Sequence, residues 1–292
     1  MKRIIFLTAL MALLFSVKAN AKKDGPEIPS QWNGARVAFL GDSITDAGQL
    51  GFQDIYWHQL ASILGIQPYC YGINGHQTEQ VLGQARKMME EHGQELDAVL
   101  IFIGTNDFNS SIPLGEWYKE ETLTVNRDGF PATLRHRVPI MDEGTMRSRI
   151  NRFMSFLKHN YPTKQIILLT PIHRAYFNCY KYNVQPEETF ANPLGLYIDD
   201  YVRVIKEAGD VWAVPVIDLG SICGLFPTDT AYKRYFRESD VERAHTAAEA
   251  AAAEPGSELA LEYHDLLHPN TEGHLRMAYS IAYQLLGYPA RF

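Results

Sequence analysis

The chain has 292 residues, of which 46% are hydrophobic and 12% aromatic, so it carries enough apolar side chain for a large core. Its formal charge is −7, and removal of residues 1–21 would leave 24 basic and 34 acidic residues, a charge of −10. Such an acidic chain is poorly suited to nucleic acid or to an anionic membrane surface, both of which bind basic faces. Three cysteines are too few for a disulfide framework, so the core must stabilise the fold.

Residues 1–21 have the pattern of a secretory signal peptide. The basic pair Lys2-Arg3 precedes an apolar stretch from Ile4 to Val17, and Ala19-Asn20-Ala21 offers a cleavage site after Ala21. The apolar stretch is short for a membrane span, and a retained N-terminal anchor is the alternative. We therefore expect a secreted or periplasmic protein without stable membrane insertion once the signal is cleaved.

After an exposed lead-in at residues 22–30, strand-like and helix-like patterns alternate along the chain. Short apolar runs predict five buried strands, at Val37–Leu40, Tyr69–Tyr71, Val99–Ile103, Ile166–Leu169 and Val214–Ile217. Apolar residues at helical spacing mark three helices: Val81, Ala85 and Met88; Ile150, Phe153, Met154 and Leu157; Ile198, Tyr201, Val202 and Ile205. A last helix is predicted from Thr271 to Leu286. This alternation predicts one α/β domain at residues 31–292, a three-layer α/β/α sandwich around a parallel sheet.

Two segments interrupt the alternation. Residues 108–143 hold Trp117, Tyr118 and a basic cluster without a helical period, and residues 219–262 include the run Ala247–Ala253, which predicts a helix. Long insertions after strand ends are often lids or substrate walls. Surface decoration is the alternative for both.

The sequence Gly41-Asp42-Ser43 directly follows the first predicted strand. Ligands bind at the carboxyl ends of the strands in an open α/β sheet, and a serine in a tight turn there exposes its hydroxyl as a nucleophile must. The alternative is that Asp42, Ser43 or Thr45 only caps a helix.

A base that could activate Ser43 lies near the C-terminus, where Asp265 and His268 are three residues apart in a turn before the last helix. His264, Asp265 and His268 could also be metal ligands, but the pairing with Ser43 already uses two of them and no further cluster completes a site. The sequence therefore predicts no metal and no cofactor.

Acyl transfer also needs hydrogen-bond donors for the developing oxyanion. Asn106 follows the third predicted strand in Gly104-Thr105-Asn106-Asp107, and a glycine turn with Gly72 and Gly75 follows the second. Taken singly, each is an ordinary turn.

Together and in this order, the motifs around Ser43, Gly75, Asn106 and Asp265–His268 resemble the SGNH (GDSL-type) hydrolase family, over essentially the whole chain from Trp32. The resemblance implies a flavodoxin-like fold, with Ser43 as nucleophile, His268 as general base and Asp265 orienting the imidazole. It also implies an oxyanion hole made by the N–H of Ser43, the N–H of Gly75 and the side chain of Asn106. Ile44 replaces the family's leucine, and Gly72 remains an alternative to Gly75.

This resemblance implies a serine esterase that works through an acyl-enzyme. The family includes carbohydrate acetylesterases, lysophospholipases, thioesterases and arylesterases. The signal peptide and the acidic charge favour O-acetyl groups on a carbohydrate. A lysophospholipase or lipase-type esterase and a non-catalytic carbohydrate-binding relative are the alternatives.

Further residues are candidates for the pocket. Asp42, His76 and His173 each flank a predicted strand end and are candidates to line it, and a structural role is the alternative for His173 and for Arg174 beside it. The oligomeric state and a Cys179–Cys223 bridge remain open from the sequence.

Overall fold

The structure, a computed structural model, describes residues 28–49, 51, 54–180, 183–237 and 264–291. The predicted signal peptide and the run Ala247–Ala253 lie outside the described residues. In chain order the elements are β1 (Arg36–Gly41), α1 (Tyr56–Leu64), β2 (Gln67–Cys70), α2 (Thr78–His92), β3 (Ala98–Phe102), α3 (Thr105–Asn109), β4 (Tyr118–Arg127), β5 (Phe130–Pro139), α4 (Met146–Asn160), β6 (Gln165–Leu169), β7 (Phe177–Tyr180), β8 (Asn183–Gln185), α5 (Ile198–Trp212), β9 (Val216–Ile217), α6 (Leu219–Ile222), the 3-10 helix Thr230–Tyr235, β10 (His264–Asp265) and α7 (Thr271–Leu285).

The central sheet consists of the five predicted strands, all parallel, in the order β2-β1-β3-β6-β9. Counted within this sheet the order is 2-1-3-4-5, the flavodoxin-like order, with the change of direction at β1 and β3. Because side chains alternate along a strand, Val37 and Phe39 of β1 enter one apolar core while Ala38 and Leu40 enter the other. Helices α1 and α7 cover the first face, and α2, α4 and α5 cover the second. The predicted three-layer α/β/α sandwich is confirmed.

The predicted helical faces are buried, with one local difference. In α2 and α4 the residues at helical spacing all face the core. In α5, Val202 is only half-buried, whereas Val204 and Ala208 are buried. The buried stripe of α5 therefore follows Ile198, Ile205 and Ala208 rather than turning toward Val202.

Residues 108–143 include a β-hairpin, which neither the apolar runs nor the helical periods of the sequence predict. Strands β4 and β5 pair antiparallel, and Asp128-Gly129 connects them with φ values of 52° and 81°. Two adjacent residues with positive φ form the primed turn that suits a tight hairpin, and Asp-Gly between alternating residues is its usual signal. Asn151 of α4 anchors the base of the hairpin by donating to the carbonyls of Trp117 (2.8 Å) and Ile140 (3.0 Å).

No helix in the described part of the chain is long and apolar enough to span a bilayer. Cys70 is a half-buried free thiol, and the side chain of Cys179 lies outside the described residues. Cys223 is a buried free thiol that stabilises the fold by packing within the apolar core.

Candidate active site

The loop that carries Ser43 leaves β1 through a glycine that no other residue can replace without movement. A Cβ on Gly41 would lie 2.4 Å from Oγ1 of Thr45 and 2.5 Å from the carbonyl oxygen of Phe102. The backbone of Gly41 is also held on both sides by Gln84, which accepts from its N–H (2.9 Å) and donates to its carbonyl (2.8 Å). The turn that follows therefore has a fixed starting point at the carboxyl end of the sheet.

Ser43, His268 and Asp265 form a continuous hydrogen-bonded row. The Ser43 hydroxyl lies 2.8 Å from Nε2 of His268, although the two residues are 225 positions apart in the chain. Nδ1 of His268 lies 3.0 and 2.9 Å from the two carboxylate oxygens of Asp265. A carboxylate can only accept, so Nδ1 carries the proton and Nε2 accepts from the serine. The imidazole is thereby placed to take the serine proton.

Asp265 is fully buried, yet it is held as a carboxylate. Burial alone would raise the pKa of Asp265, but His268 and the guanidinium of Arg237 outweigh that effect and leave this pKa below its usual value. The same carboxylate accepts from the backbone N–H of Leu267 (3.2 Å) and of His268 (2.9 Å). These bonds fix the orientation of the acid relative to the ring.

Arg237 is a residue of this site that was not predicted from the sequence. Its side chain is 2% exposed and lies 3.8 Å from Oδ2 of Asp265. Its other nitrogen donates to the backbone carbonyl of Gln49 (2.5 Å), in the loop after Ser43, and its own N–H donates to the carbonyl of His268 (3.1 Å). It lies within the insertion predicted at residues 219–262, where no motif marks it.

The segment that carries Arg237 is tied to the start of α7. Nδ2 of Asn270 donates to the carbonyls of Arg234 (2.7 Å) and Phe236 (3.0 Å), and Oδ1 of Asn270 caps α7 by accepting from Gly273 (3.1 Å). One side chain thus joins the helix that follows His268 to the segment that supplies Arg237.

The predicted oxyanion donors lie around one loop. Asn106, in the first turn of α3, uses one of its two Nδ2 hydrogens on the carbonyl of His76 (3.0 Å), and the other has no acceptor in the part of the chain that the structure describes. The backbone N–H of Asn74, in the same loop, donates to Asp46 (2.8 Å), three residues after Ser43. Gly75 sits between these two bonds, so the loop connects the turn of Ser43 to α3.

Gly72 and Gly75 are glycines for different reasons. A Cβ on Gly72 would lie 2.6 Å from Cβ of Thr45, so Gly72 allows the loop to pack against the turn of Ser43. Gly75 is exposed, has φ +77°, and an added Cβ there would meet nothing within 4 Å. Among the described residues, the N–H groups of Gly75 and of Ser43 have no acceptor. Gly75 therefore fits the role of donor better than Gly72.

Two of the three predicted pocket residues, Asp42 and His76, do not open toward Ser43. Asp42 is 1% exposed, and burial, followed by the nearby Asp107 carboxylate, raises the pKa of Asp42 to about 7. The His76 ring contacts Gln84 through Nδ1 (2.9 Å), and burial lowers the pKa of His76. This ring lines a cavity of 460 Å³ beside β2 and α2, and Ser43 is not among the residues that line it.

His173 is half-exposed at the edge of the site. Its loop is joined to the segment of Asp265 because Ala175 donates to the carbonyl of Leu266 (2.9 Å). Nδ1 of His173 bonds Glu188 (2.6 Å), which raises the pKa of His173, and the ring of Phe226 packs edge-on against it at 5.2 Å. Within the described residues, no group of three or more His, Cys, Asp or Glu side chains is arranged to hold a metal ion.

Comparisons with known proteins agree with the fold and identify the family. The sequence profile of the GDSL-like Lipase/Acylhydrolase family matches residues 39–276. The chain is similar to a solved protein from Lactobacillus plantarum, with 20% identity, a TM-score of 0.58 and coverage of 88% of this chain and 98% of that one. It is also similar to "a possible lipase" from Chitinophaga pinensis, with 17% identity, a TM-score of 0.57 and coverage of 86% and 97%. At these identities the likeness concerns the fold. No curated protein matches the chain.

Proposed function

Since the chain belongs to the GDSL-like lipase/acylhydrolase family and is a hydrolase that acts on esters, we propose that Ser43 is its nucleophile and that it removes acetyl groups from a carbohydrate. The proposed role of Ser43 rests on the contact of its hydroxyl with Nε2 of His268 at 2.8 Å. The imidazole of His268 is held by Asp265. A hydroxyl is a weak nucleophile until an oriented base takes its proton.

The proposed reaction has two halves. Oγ of Ser43 attacks the ester carbonyl while Nε2 of His268 takes the hydroxyl proton, and that proton then passes to the oxygen of the leaving alcohol. The resulting acyl-enzyme is hydrolysed by a water molecule that His268 deprotonates, which restores the serine. In both halves the negative charge on the former carbonyl oxygen is stabilised by the N–H groups of Ser43 and Gly75 and by the free Nδ2 hydrogen of Asn106.

The acidic charge of the chain and the composition of the edge of the site support a carbohydrate ester. The charge of −7 disfavours an anionic lipid surface. At the edge of the site, an exposed aromatic ring, Phe226, lies against the half-exposed imidazole of His173. An aromatic face combined with a hydrogen-bonding group suits a sugar ring, which has an apolar face and polar hydroxyls.

The pattern of residues 1–21 supports export, with cleavage after Ala21. Expression of the whole gene in a bacterial host, followed by fractionation and N-terminal sequencing, tests this. A product that begins at Lys22 outside the cytoplasm is expected, whereas an uncleaved product in the membrane fraction would favour a retained anchor.

The substrate is tested with p-nitrophenyl esters of increasing acyl length and with acetylated and deacetylated polysaccharides. We expect turnover of p-nitrophenyl acetate, release of acetate from the polysaccharide, and a steep fall with acyl length. Ser43→Ala should abolish both activities, while Ser62→Ala, at an exposed position on α1, should retain both. A preference for long acyl chains would favour a lipase-type esterase. Binding of the polysaccharide without turnover of any ester would favour the non-catalytic alternative.

A further inference from the structure

The hairpin formed by β4 and β5 is two-stranded along its whole length. All ten residues of β4 pair with the ten of β5, from Tyr118 opposite Pro139 to Arg127 opposite Phe130. Every residue of the two strands is exposed or half-exposed. A hairpin of two strands with no cover on either face is at best marginally stable in water.

One face of the hairpin is polar and paired within the hairpin. Thr124 and Thr133 share a hydrogen bond of 3.0 Å, and Arg135 binds Glu120 at 2.6 Å. These groups bond to each other and need no partner from outside.

The opposite face is apolar and open. Leu123 and Leu134 stand directly opposite each other and are 42% and 55% exposed, and Phe130 near the tip is 82% exposed. Val125 and Ala132 lie between them on the same face, because alternate residues of a strand share a face. A contiguous apolar surface of this kind marks an interaction site.

Two opposite charges bracket this apolar face on the same strand. Along β4 this face carries Glu121, Leu123, Val125 and Arg127 in that order. Glu121 and Arg127 therefore lie at equal distances from the midpoint between Leu123 and Val125. Glu121 has an exposed contact with His136 in its own hairpin (3.2 Å). Arg127 has no ion-pair partner among the described residues.

We propose that this apolar face binds the same face of a second copy of the chain, with the two hairpins antiparallel across a two-fold axis. The two-fold axis is perpendicular to the strands and passes between the levels of Leu123 and Val125. It places β4 of one copy over β4 of the other. Glu121 of each copy then meets Arg127 of the other, and the apolar residues between them are buried. A membrane is a poor occupant because the chain is acidic. The proposal does not rest on the proposed function, because it uses no residue of the candidate active site.

The first test measures the mass of the purified chain by sedimentation velocity over a range of concentrations. The chain is expected to be a dimer, and Phe130→Glu is expected to make it a monomer, because the substitution places a charge in the apolar contact. Thr133→Glu on the polar face of the same hairpin is the matched control and should remain dimeric. Both positions are exposed, and unchanged esterase turnover or an unchanged circular dichroism spectrum verifies the fold of each variant.

The second test exchanges the charges. Glu121→Arg and Arg127→Glu alone each place like charges opposite each other and are expected to raise the dimer dissociation constant at least about tenfold. The double variant Glu121→Arg/Arg127→Glu restores opposite charges across the axis and is expected to recover the affinity of the original chain.

Each other outcome overturns the proposal. A monomer at every concentration means that the face is open, or is covered by a membrane or by another part of the same chain. A dimer that survives Phe130→Glu means that the copies meet elsewhere. A double variant weaker than either single variant means that Glu121 and Arg127 do not meet.

Discussion

At the scale of single residues, replacing Arg237 with Met leaves the buried Asp265 carboxylate without the guanidinium that lies 3.8 Å away. The pKa of Asp265 then rises, because the guanidinium no longer offsets the effect of burial, and a protonated Asp265 cannot stabilise the imidazolium of His268. We therefore expect the acid limb of the kcat/KM profile to move to higher pH. We also expect kcat to fall by about 10²-fold, because the loop of Gln49 loses the side-chain anchor that Arg237 provides.

The matched control for this prediction is Arg234→Met. Arg234 is only three residues away, but its ion pair with Glu272 (3.0 Å) is exposed, and exposed pairs contribute little. Its pH profile is expected to remain that of the unchanged chain. An unchanged pH profile for Arg237→Met would show that Arg237 has only a structural role.

Asn106→Ala removes the side-chain donor that we propose for the oxyanion, whose charge is present only after the carbonyl has been attacked. We expect kcat to fall by about 10²–10³-fold, or roughly 2.7–4 kcal/mol, with a much smaller change in KM. Asn106→Ala also removes the bond to the carbonyl of His76 (3.0 Å), which can lower stability. Kinetics and a melting curve on the same sample distinguish a loss of catalysis from this loss of stability. A lower melting temperature together with normal kcat would remove Asn106 from the catalytic machinery.

At the scale of elements, substitution of Asn270 measures how much the bonds between the start of α7 and residues 234–237 contribute to stability. Asn270→Ala loses the helix cap and the two bonds to the carbonyls of Arg234 and Phe236. We expect a loss of about 2–3 kcal/mol in the free energy of unfolding, at about 1 kcal/mol for each interaction. Asn270→Ser keeps a capping oxygen and should lose only part of this. Urea unfolding measures both, and equal losses would mean that the capping oxygen contributes nothing measurable.

At the scale of the whole molecule, the pH dependence of stability should carry a contribution from the buried Asp42. Its pKa in the folded chain is about 7, against the ordinary value of 3.8. Between these values the folded chain holds a proton that the unfolded chain releases, so this contribution to stability is complete below about pH 4 and is lost as the pH rises to 7. In the variant Asp42→Asn the side chain is neutral at every pH. It keeps an oxygen that can accept from the N–H of Ile44, as Asp42 does at 3.0 Å.

We therefore expect Asp42→Asn to stabilise the chain more at pH 8 than at pH 5, by urea unfolding at both values. Asp46→Asn, at a half-buried position four residues away, is the comparison variant. An equal effect of Asp42→Asn at the two pH values would mean that the Asp42 carboxyl does not titrate in this range. Asp107, whose pKa burial raises to about 6, contributes in the same direction and is unchanged in both variants.

The sequence determined the sheet, the helices that cover it and the approximate place of the site. Runs such as Val99–Ile103 are short, apolar and followed by glycine, so local pattern alone identifies buried strands and their ends. The triad of Ser43, Asp265 and His268 was predicted as well, because each of its members stands in a motif at a strand end or before a helix. Their catalytic roles stay predictions until the variants are measured. The hairpin was missed although Asp128-Gly129 between alternating residues signals it.

Only the tertiary structure decided which distant segments support the site. Arg237 reaches Gln49 across 188 positions of the chain, and Gln84 reaches Gly41 across 43. Each contact joins one side chain to the backbone of another segment, so neither partner needs a recognisable motif. The same holds for the different surroundings of Gly72 and Gly75, because packing against Thr45 and a positive φ are properties of the folded loop. A sequence pattern reports the period of one element, whereas these contacts depend on where several elements meet in space.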